Sequence, residues 1–412
     1  MSRRIPRASF TTWSLLALAA ALALGTWGHV SGAPAFTTLE RFLQPLGSFW
    51  MAALQLTVLP LVILKLLAAI VSAPSNESVG RLGIRTVLLF MTMLIAAALL
   101  TLVIAPPFIA MYDADPATLA SLRATTQIPA AASDATATSA MPRNLFVAAS
   151  KGELLPILLF TAVFGAAVTR LPDEQRLPLT SVFQGLSAAM LTVVQWILIG
   201  TPLGVFALTY SPALHSGAGA AGMLGAFVVL VCALLIVFTL LLYPVTAFVG
   251  RQPMRTFARG VAPAQLVALS TRSSIASLPA LIDGATRILK LPATATGFVL
   301  PLTVAVFKMN RPISTTAKLL FVAHVYDVPL HAGTIVVFLA TVILLSFTAV
   351  GVPDGGVAFT TLPAYLAAGL PVEAIVVLEA TTTIPDIFKT LLNVTGDMSA
   401  AAILSRAEPA AT

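Results

Sequence analysis

Glu379, Asp386, Thr390, Asn393 and Asp397 recur at offsets of 7, 4, 3 and 4 within the apolar stretch PVEAIVVLEATTTIPDIFKTLLNVTGDMSAAAIL. Those offsets place side chains on one face of a helix. Lys389, three residues beyond Asp386, borders the same stripe. The segment is long and apolar enough to cross a bilayer, where each ionisable residue costs ~2.5–3.5 kcal/mol on insertion scales. Carboxylates, an amide, a hydroxyl and an ammonium gathered at that depth have the chemistry to hold a small charged ligand. The competing reading is a static polar seam between helices.

Two further groups of polar residues interrupt apolar sequence. VFKMNRPIS (306–314) sets Lys308, Asn310, Arg311 and a proline between LPATATGFVLPLTVAV and TTAKLLFVAHV. ALSTRSSIASLPA offers Arg272, Ser273, Ser274 and Ser277, a cation and hydroxyls at what reads as a turn between helix ends. Helix N-termini aimed at one point bind anions, although serines in a turn are ordinary turn chemistry. His29, His215, His324 and His331 show no metal-ligand spacing.

The rest of the chain must position these groups inside a membrane. Of 412 residues, 58% are hydrophobic and 9% charged, against roughly a quarter charged in a soluble domain. The net charge of +7 is scattered over short loops, which is no nucleic-acid footprint. Cys232, the single cysteine, lies in VVLVCALLIVF and indicates neither a disulfide nor thiol chemistry. Spans are read near 12–30, 46–72, 84–110, 146–169, 186–211 and 220–249, the first as an uncleaved helix rather than a signal peptide. Arg3, Arg4 and Arg7, then Arg81 and Arg85, Arg170 and Arg176, and Arg251, Arg255 and Arg259 mark every second loop as basic. By the positive-inside rule the N-terminus is cytoplasmic and the Ala/Thr/Ser-rich loop 111–145 external.

After residue 250 the pattern changes. Regions 254–290 and 333–370 read as apolar hairpins whose arms are too short to cross, each followed by a span, near 293–327 and 372–405. Non-helical backbone at membrane depth requires protein or a water-filled cavity beside it. Two re-entrant hairpins, each followed by an interrupted span, are the trace of an inverted-repeat transporter.

NVTGD (393–397), TRSSIASLP (271–279), GVPDGG (351–356), MPRNLFVAASKGELLPILLFTAVFGAAVT (141–169), LTVLPLVIL (56–64) and TPLGVFAL (201–208) together resemble the dicarboxylate/amino acid:cation symporter family. The resemblance implies an all-α polytopic membrane protein with eight transmembrane helices, two re-entrant helical hairpins and inverted repeats, working as an elevator. It implies a homotrimer in the cell inner membrane, with both termini cytoplasmic. Scaffold helices 1 and 2 fall in 1–83. Helix 3, at 84–110, belongs to the transport domain. An external loop and scaffold helices 4 and 5 occupy 111–218, and the rest of the transport domain is 219–412.

The same resemblance assigns residues. Asp386 matches the carboxylate that holds a substrate's amino group, and Asn393 and Thr390 match substrate contacts. Lys389 stands where members taking acidic substrates carry an arginine, with charge but no bidentate fork. Arg272, Ser273 and Ser274 match the first hairpin tip, with Ile275 in place of a serine, and Arg311 joins the substrate-binding set. Gly351, Val352, Pro353, Asp354, Gly355 and Gly356 are the implied gate.

The departures lie at the cation sites. An ungapped match lays FKMNR (307–311) over the family's Asn-Met-Asp-Gly-Thr signature, and a one-residue shift would put Asn310 on the aspartate. Either way the acidic sodium ligand is missing. Phe90, Met93 and Leu94 replace oxygen-bearing residues of the third span, while Asn393 and Asp397 survive from another sodium site. Lys308 is therefore expected to replace a bound cation and pair with Asp397 or another carboxylate of the last span, with Asn310 beside it. Proton coupling or exchange is expected in place of sodium coupling, with no other cofactor and no certain metal site. The expected function is transport of an acidic amino acid. A C4-dicarboxylate, or a substrate-gated channel on the same fold, are the alternatives. An intramembrane aspartyl protease is excluded. Asp386 and Asp397 lie eleven residues apart on one helix, about 16 Å, too far for a shared-proton dyad.

Overall fold

In the computed structural model the described residues are 7–71, 77–112, 116–125, 144–150, 154–346 and 361–406. Among them there is no strand, and five helices are long and apolar enough to cross a membrane. The chain runs α1 (Arg7–Ser31), α2 (Pro34–Val71), α3 (Glu77–Ala110), α4 (Pro116–Thr125), α5 (Leu145–Ser150), α6 (Leu154–Val168), α7 (Asp173–Ile199), α8 (Thr201–Ser216) and α9 (Ala218–Val249). It continues with α10 (Met254–Thr271), α11 (Ser274–Asp283), α12 (Leu300–Val306), α13 (Asn310–Tyr326), α14 (Ala332–Ser346), α15 (Leu362–Ala367), α16 (Val372–Ala380) and α17 (Pro385–Ser405).

Several expected boundaries move. α2 opens at Pro34, ahead of the span read from 46, and in that added stretch the Glu40 carboxylate accepts from Ser211 of α8 at 2.5 Å and faces His215 Nε2 at 3.0 Å. The span read at 186–211 is two helices parted at Gly200, with a proline at the start of α8. Within the span read at 146–169 the described helices are α5 and α6, and the stretch 111–145 contains α4. Most of ATTQIPAAASDATATSA and the whole of GVPDGG, hence Gly351 to Gly356 with Asp354, lie outside the described residues.

Large apolar side chains face outward. Phe49, Leu56, Trp196 and Phe248 are each more than half exposed, a surface suited to hydrocarbon as solvent. Inside, one apolar cluster joins α2, α3, α9, α13, α14 and α15 through residues such as Leu54, Phe90, Leu234, Phe321, Phe338 and Tyr365. A second cluster packs α10, α11 and α12 against Val394, Met398 and Ala401 of α17.

The first expected hairpin is present. α10 and α11 run antiparallel about a turn at Arg272, whose φ of 52° is left-handed. Its arms touch so closely that a Cβ on Gly284, just past α11, would lie 2.0 Å from the Gly260 carbonyl oxygen. Of the second hairpin, arms α14 and α15 are described and pack together.

Candidate functional site

The expected break in VFKMNRPIS is real, and Pro312 is its cause. Without an N–H, Pro312 cannot continue the helical ladder to the carbonyl of Lys308. That carbonyl accepts instead from the Arg311 amide at 3.0 Å, and Phe307 turns extended with φ −89° and ψ 111°. The amide of Asn310, freed at the start of α13, donates to Asn393 Oδ1 of α17 at 3.1 Å. A backbone donor exposed by the break is thus met by a side chain of the last span.

The break is largely apolar inside. Phe307, 1% exposed, stacks on Phe90 of α3 with centroids 4.4 Å apart. Met309, Met93 and Leu94 are buried, and a Cβ on Gly396 would sit 3.3 Å from Met309 Sδ and 3.4 Å from Phe307 Cε1. These are the positions where the resemblance implies sodium ligands. Rings, alkyl groups and a thioether do not fit a hard cation that requires several oxygens.

Asp397 is fully buried, and neither carboxylate oxygen has a hydrogen-bond partner among the described residues. The expected contact with Lys308 is not made: Lys308 Nζ donates to the Val304 carbonyl at 2.9 Å. Its charge still acts on Asp397 of α17 from across the break. Thr303 Oγ1, on the same side, donates to the Leu300 carbonyl at 2.9 Å.

The last span is interrupted, as expected, but the break falls inside the stripe that was read as one helix face. It breaks after α16 at Thr381, and Pro385 opens α17 at its first turn, without the N–H that would join it to the preceding turn. Thr381 and Thr382 turn their hydroxyls onto the carbonyls of Leu378 and Glu379, both at 2.7 Å. Asp386, Thr390, Asn393 and Asp397 therefore share α17, whereas Glu379 ends a separate helix. Lys389 Nζ reaches Asp386 Oδ1 at 2.8 Å, and Thr390 Oγ1 donates to the Asp386 carbonyl at 2.9 Å. Behind α17 a buried polar seam holds it: Gln265 donates to Thr395 Oγ1 at 2.8 Å and Thr246 to Ser399 Oγ at 2.7 Å.

Glu379 pairs with Lys318 of α13. Sequence reasoning passed over Lys318, although a lysine inside TTAKLLFVAHV, mid-span, was the available signal. Arg311 is also buried, and its Nη1 donates to the Leu345 carbonyl of α14 at 2.7 Å, tying the break to the second hairpin. At the first hairpin tip Arg272 is exposed. Ser273 Oγ caps α11 by accepting the Ala276 amide at 3.3 Å, and Ser274 and Ser277 are buried.

Interrupted helices whose breaks meet at buried charged groups, inside an apolar exterior, define a polytopic helical membrane protein. The chain belongs to the Sodium:dicarboxylate symporter family, which its sequence matches over residues 10–407. It is similar to the proton/glutamate-aspartate symporter of Escherichia coli, at 27% identity over 96% of this chain and 92% of that one. It is also similar to the proton/sodium-glutamate symport protein of Bacillus subtilis, at 28% identity over 90% and 87%. Human excitatory amino acid transporter 3 is 26% identical over 96% of this chain and 85% of its own.

Proposed function

We propose that this chain is a secondary active transporter of an acidic amino acid, aspartate or glutamate, working as an elevator. The observation that carries the reading is the crossing of the two broken spans, where the Asn310 amide bonds to Asn393 beside the Asp386–Lys389 pair. Asp386 supplies a carboxylate for an α-amino group, Asn393 and Thr390 donors for the α-carboxylate, and Lys389 a cation for the side-chain carboxylate. The names of the relatives, proton/glutamate-aspartate symporter and excitatory amino acid transporter, support the same substrate class. Asp386 favours an amino acid over a C4-dicarboxylate, which has no amine to offer it.

In this reading eight membrane helices and two hairpins divide into a scaffold (1–83 and 111–218) and a transport domain (84–110 and 219–412). The second hairpin is the gate, three copies assemble in the inner membrane, and both termini are cytoplasmic. Sodium does not drive the cycle: Lys308 is a tethered cation for Asp397, and protons or a counter-substrate supply the coupling. Uptake into proteoliposomes is the test, with aspartate, glutamate, succinate and neutral amino acids, with and without sodium. Saturable, sodium-independent uptake of aspartate or glutamate that responds to a pH gradient or to internal substrate is expected. Preference for succinate would refute the substrate; uptake that tracks sodium and ignores pH would refute the coupling.

A further inference from the structure

The C-terminal ends of α9 and α17 meet the open end of the first hairpin. Arg406, just past α17, donates from Nη1 to the Val249 carbonyl at 3.0 Å, and Gln252 Nε2 donates to the Leu289 carbonyl at 3.5 Å. A Cβ on Gly250 would lie 3.5 Å from the Ala402 carbonyl carbon. These contacts bring Arg251, Lys290 and Arg406 to one edge of the molecule, and all three are exposed. Arg255, exposed in the first turn of α10, follows four residues after Arg251.

Among the described residues no carboxylate pairs with any of these four cations, and Asp283, at the end of α11, is held by Arg287 at 2.8 Å. The start of α10 has no side-chain cap and no acidic residue in its first turn, so its amide ends add to the positive field. Arg251 and Lys290 also hold left-handed backbone, with φ of 51° and 53°. A glycine adopts that conformation freely and a side chain does so at a cost. Each turn therefore keeps a cation where the residue that would relax the backbone carries none.

The cations are interleaved with apolar side chains that face outward: Phe248, Met254 and Ile288 are 82%, 49% and 37% exposed. Cations and apolar groups side by side match the boundary between acyl chains and headgroups, whereas a soluble anion would gain nothing from the apolar half.

We propose that this edge binds an anionic phospholipid, its phosphate taken by Arg251, Lys290 and Arg406 and its acyl chains lying along Phe248 and Met254. The bound lipid clamps the ends of α9 and α17 to the first hairpin. The inference stands apart from the transport reading, whose failure would leave it in place.

Thermal unfolding of the purified full-length protein tests it, in phosphatidylcholine nanodiscs prepared with increasing fractions of phosphatidylglycerol. Wild type is expected to unfold at higher temperature as the anionic lipid increases. Arg251→Gly combined with Lys290→Gly relaxes both turns and removes both charges. That variant should be at least as stable as wild type in phosphatidylcholine alone, yet need on the order of tenfold more phosphatidylglycerol for the same shift. Should it fail to fold, Arg251→Asn with Lys290→Asn, which also tolerates left-handed backbone, carries the same comparison. No shift in wild type, or a double variant that keeps the wild-type response, overturns the inference. An equal shift from inorganic phosphate without the anionic lipid overturns it too, because the edge would then be a site for soluble anions.

Discussion

Two buried regions of the last span treat charge in opposite ways. At the break between α16 and α17, Glu379 faces Lys318 and Asp386 faces Lys389, so each carboxylate has an ammonium in contact. Three turns further along α17, Asp397 is fully buried next to Gly396, which packs against Phe307 and Met309, and neither carboxylate oxygen has a hydrogen-bond partner among the described residues. Buried charges persist when paired, or when a site needs them unpaired. In the proposed reading, the first region is the one that exchanges partners, with a substrate amine taking the Asp386 carboxylate. The second holds one carboxylate, with Lys308 acting on it while its ammonium donates to the Val304 carbonyl.

The largest expected effect is at Asp386. Asp386→Ala removes the proposed amine partner together with its bond to Lys389. Aspartate binding should weaken about a hundredfold or more, by calorimetry or radioligand binding; unchanged affinity would overturn the assigned site. Next, Glu379→Gln and Asp397→Asn separate the two regions directly. Breaking the buried Lys318 pair should cost about 3–5 kcal/mol in thermal or denaturant unfolding. Neutralising Asp397, which loses no hydrogen bond, should cost less than about 1 kcal/mol. Equal losses would erase the contrast drawn above. A smaller effect belongs to the framework that both regions share. Gly284→Ala presses a methyl onto the Gly260 carbonyl and should destabilise the first hairpin by about 1–3 kcal/mol, without changing which amino acids bind.

Much of this arrangement was legible in the residues. Pro312 after a run of polar residues marked the break between α12 and α13, because a missing N–H acts locally and can be read locally. The short arms and Ser-rich tip of 254–290 marked a hairpin for the same kind of reason. The spacing 386, 390, 393, 397 marked a helix face, and those four residues do share α17. Glu379 did not belong with them, because continuity of periodicity says nothing about a break. TTTIP carries the signal for one, in hydroxyls that cap and a proline that cannot continue, yet apolar sequence on both sides concealed it. Lys318 escaped notice because its partner lies on another helix, and sequence separation conceals contacts made across the fold.

Sequence alone determined the membrane class, the interrupted spans and the family, since these follow from hydropathy, helix-breaking residues and local motifs. It also put Phe90, Phe307 and Met309 where the resemblance implies oxygen ligands. Tertiary structure alone decided what took their place: Phe90 and Phe307 stack, Lys308 turns to a backbone carbonyl, and Asp397 has no hydrogen-bond partner among the described residues. It also decided which ammonium meets which carboxylate. Pairing depends on where separate helices bring their side chains, and that distance is set by packing rather than by position along the chain.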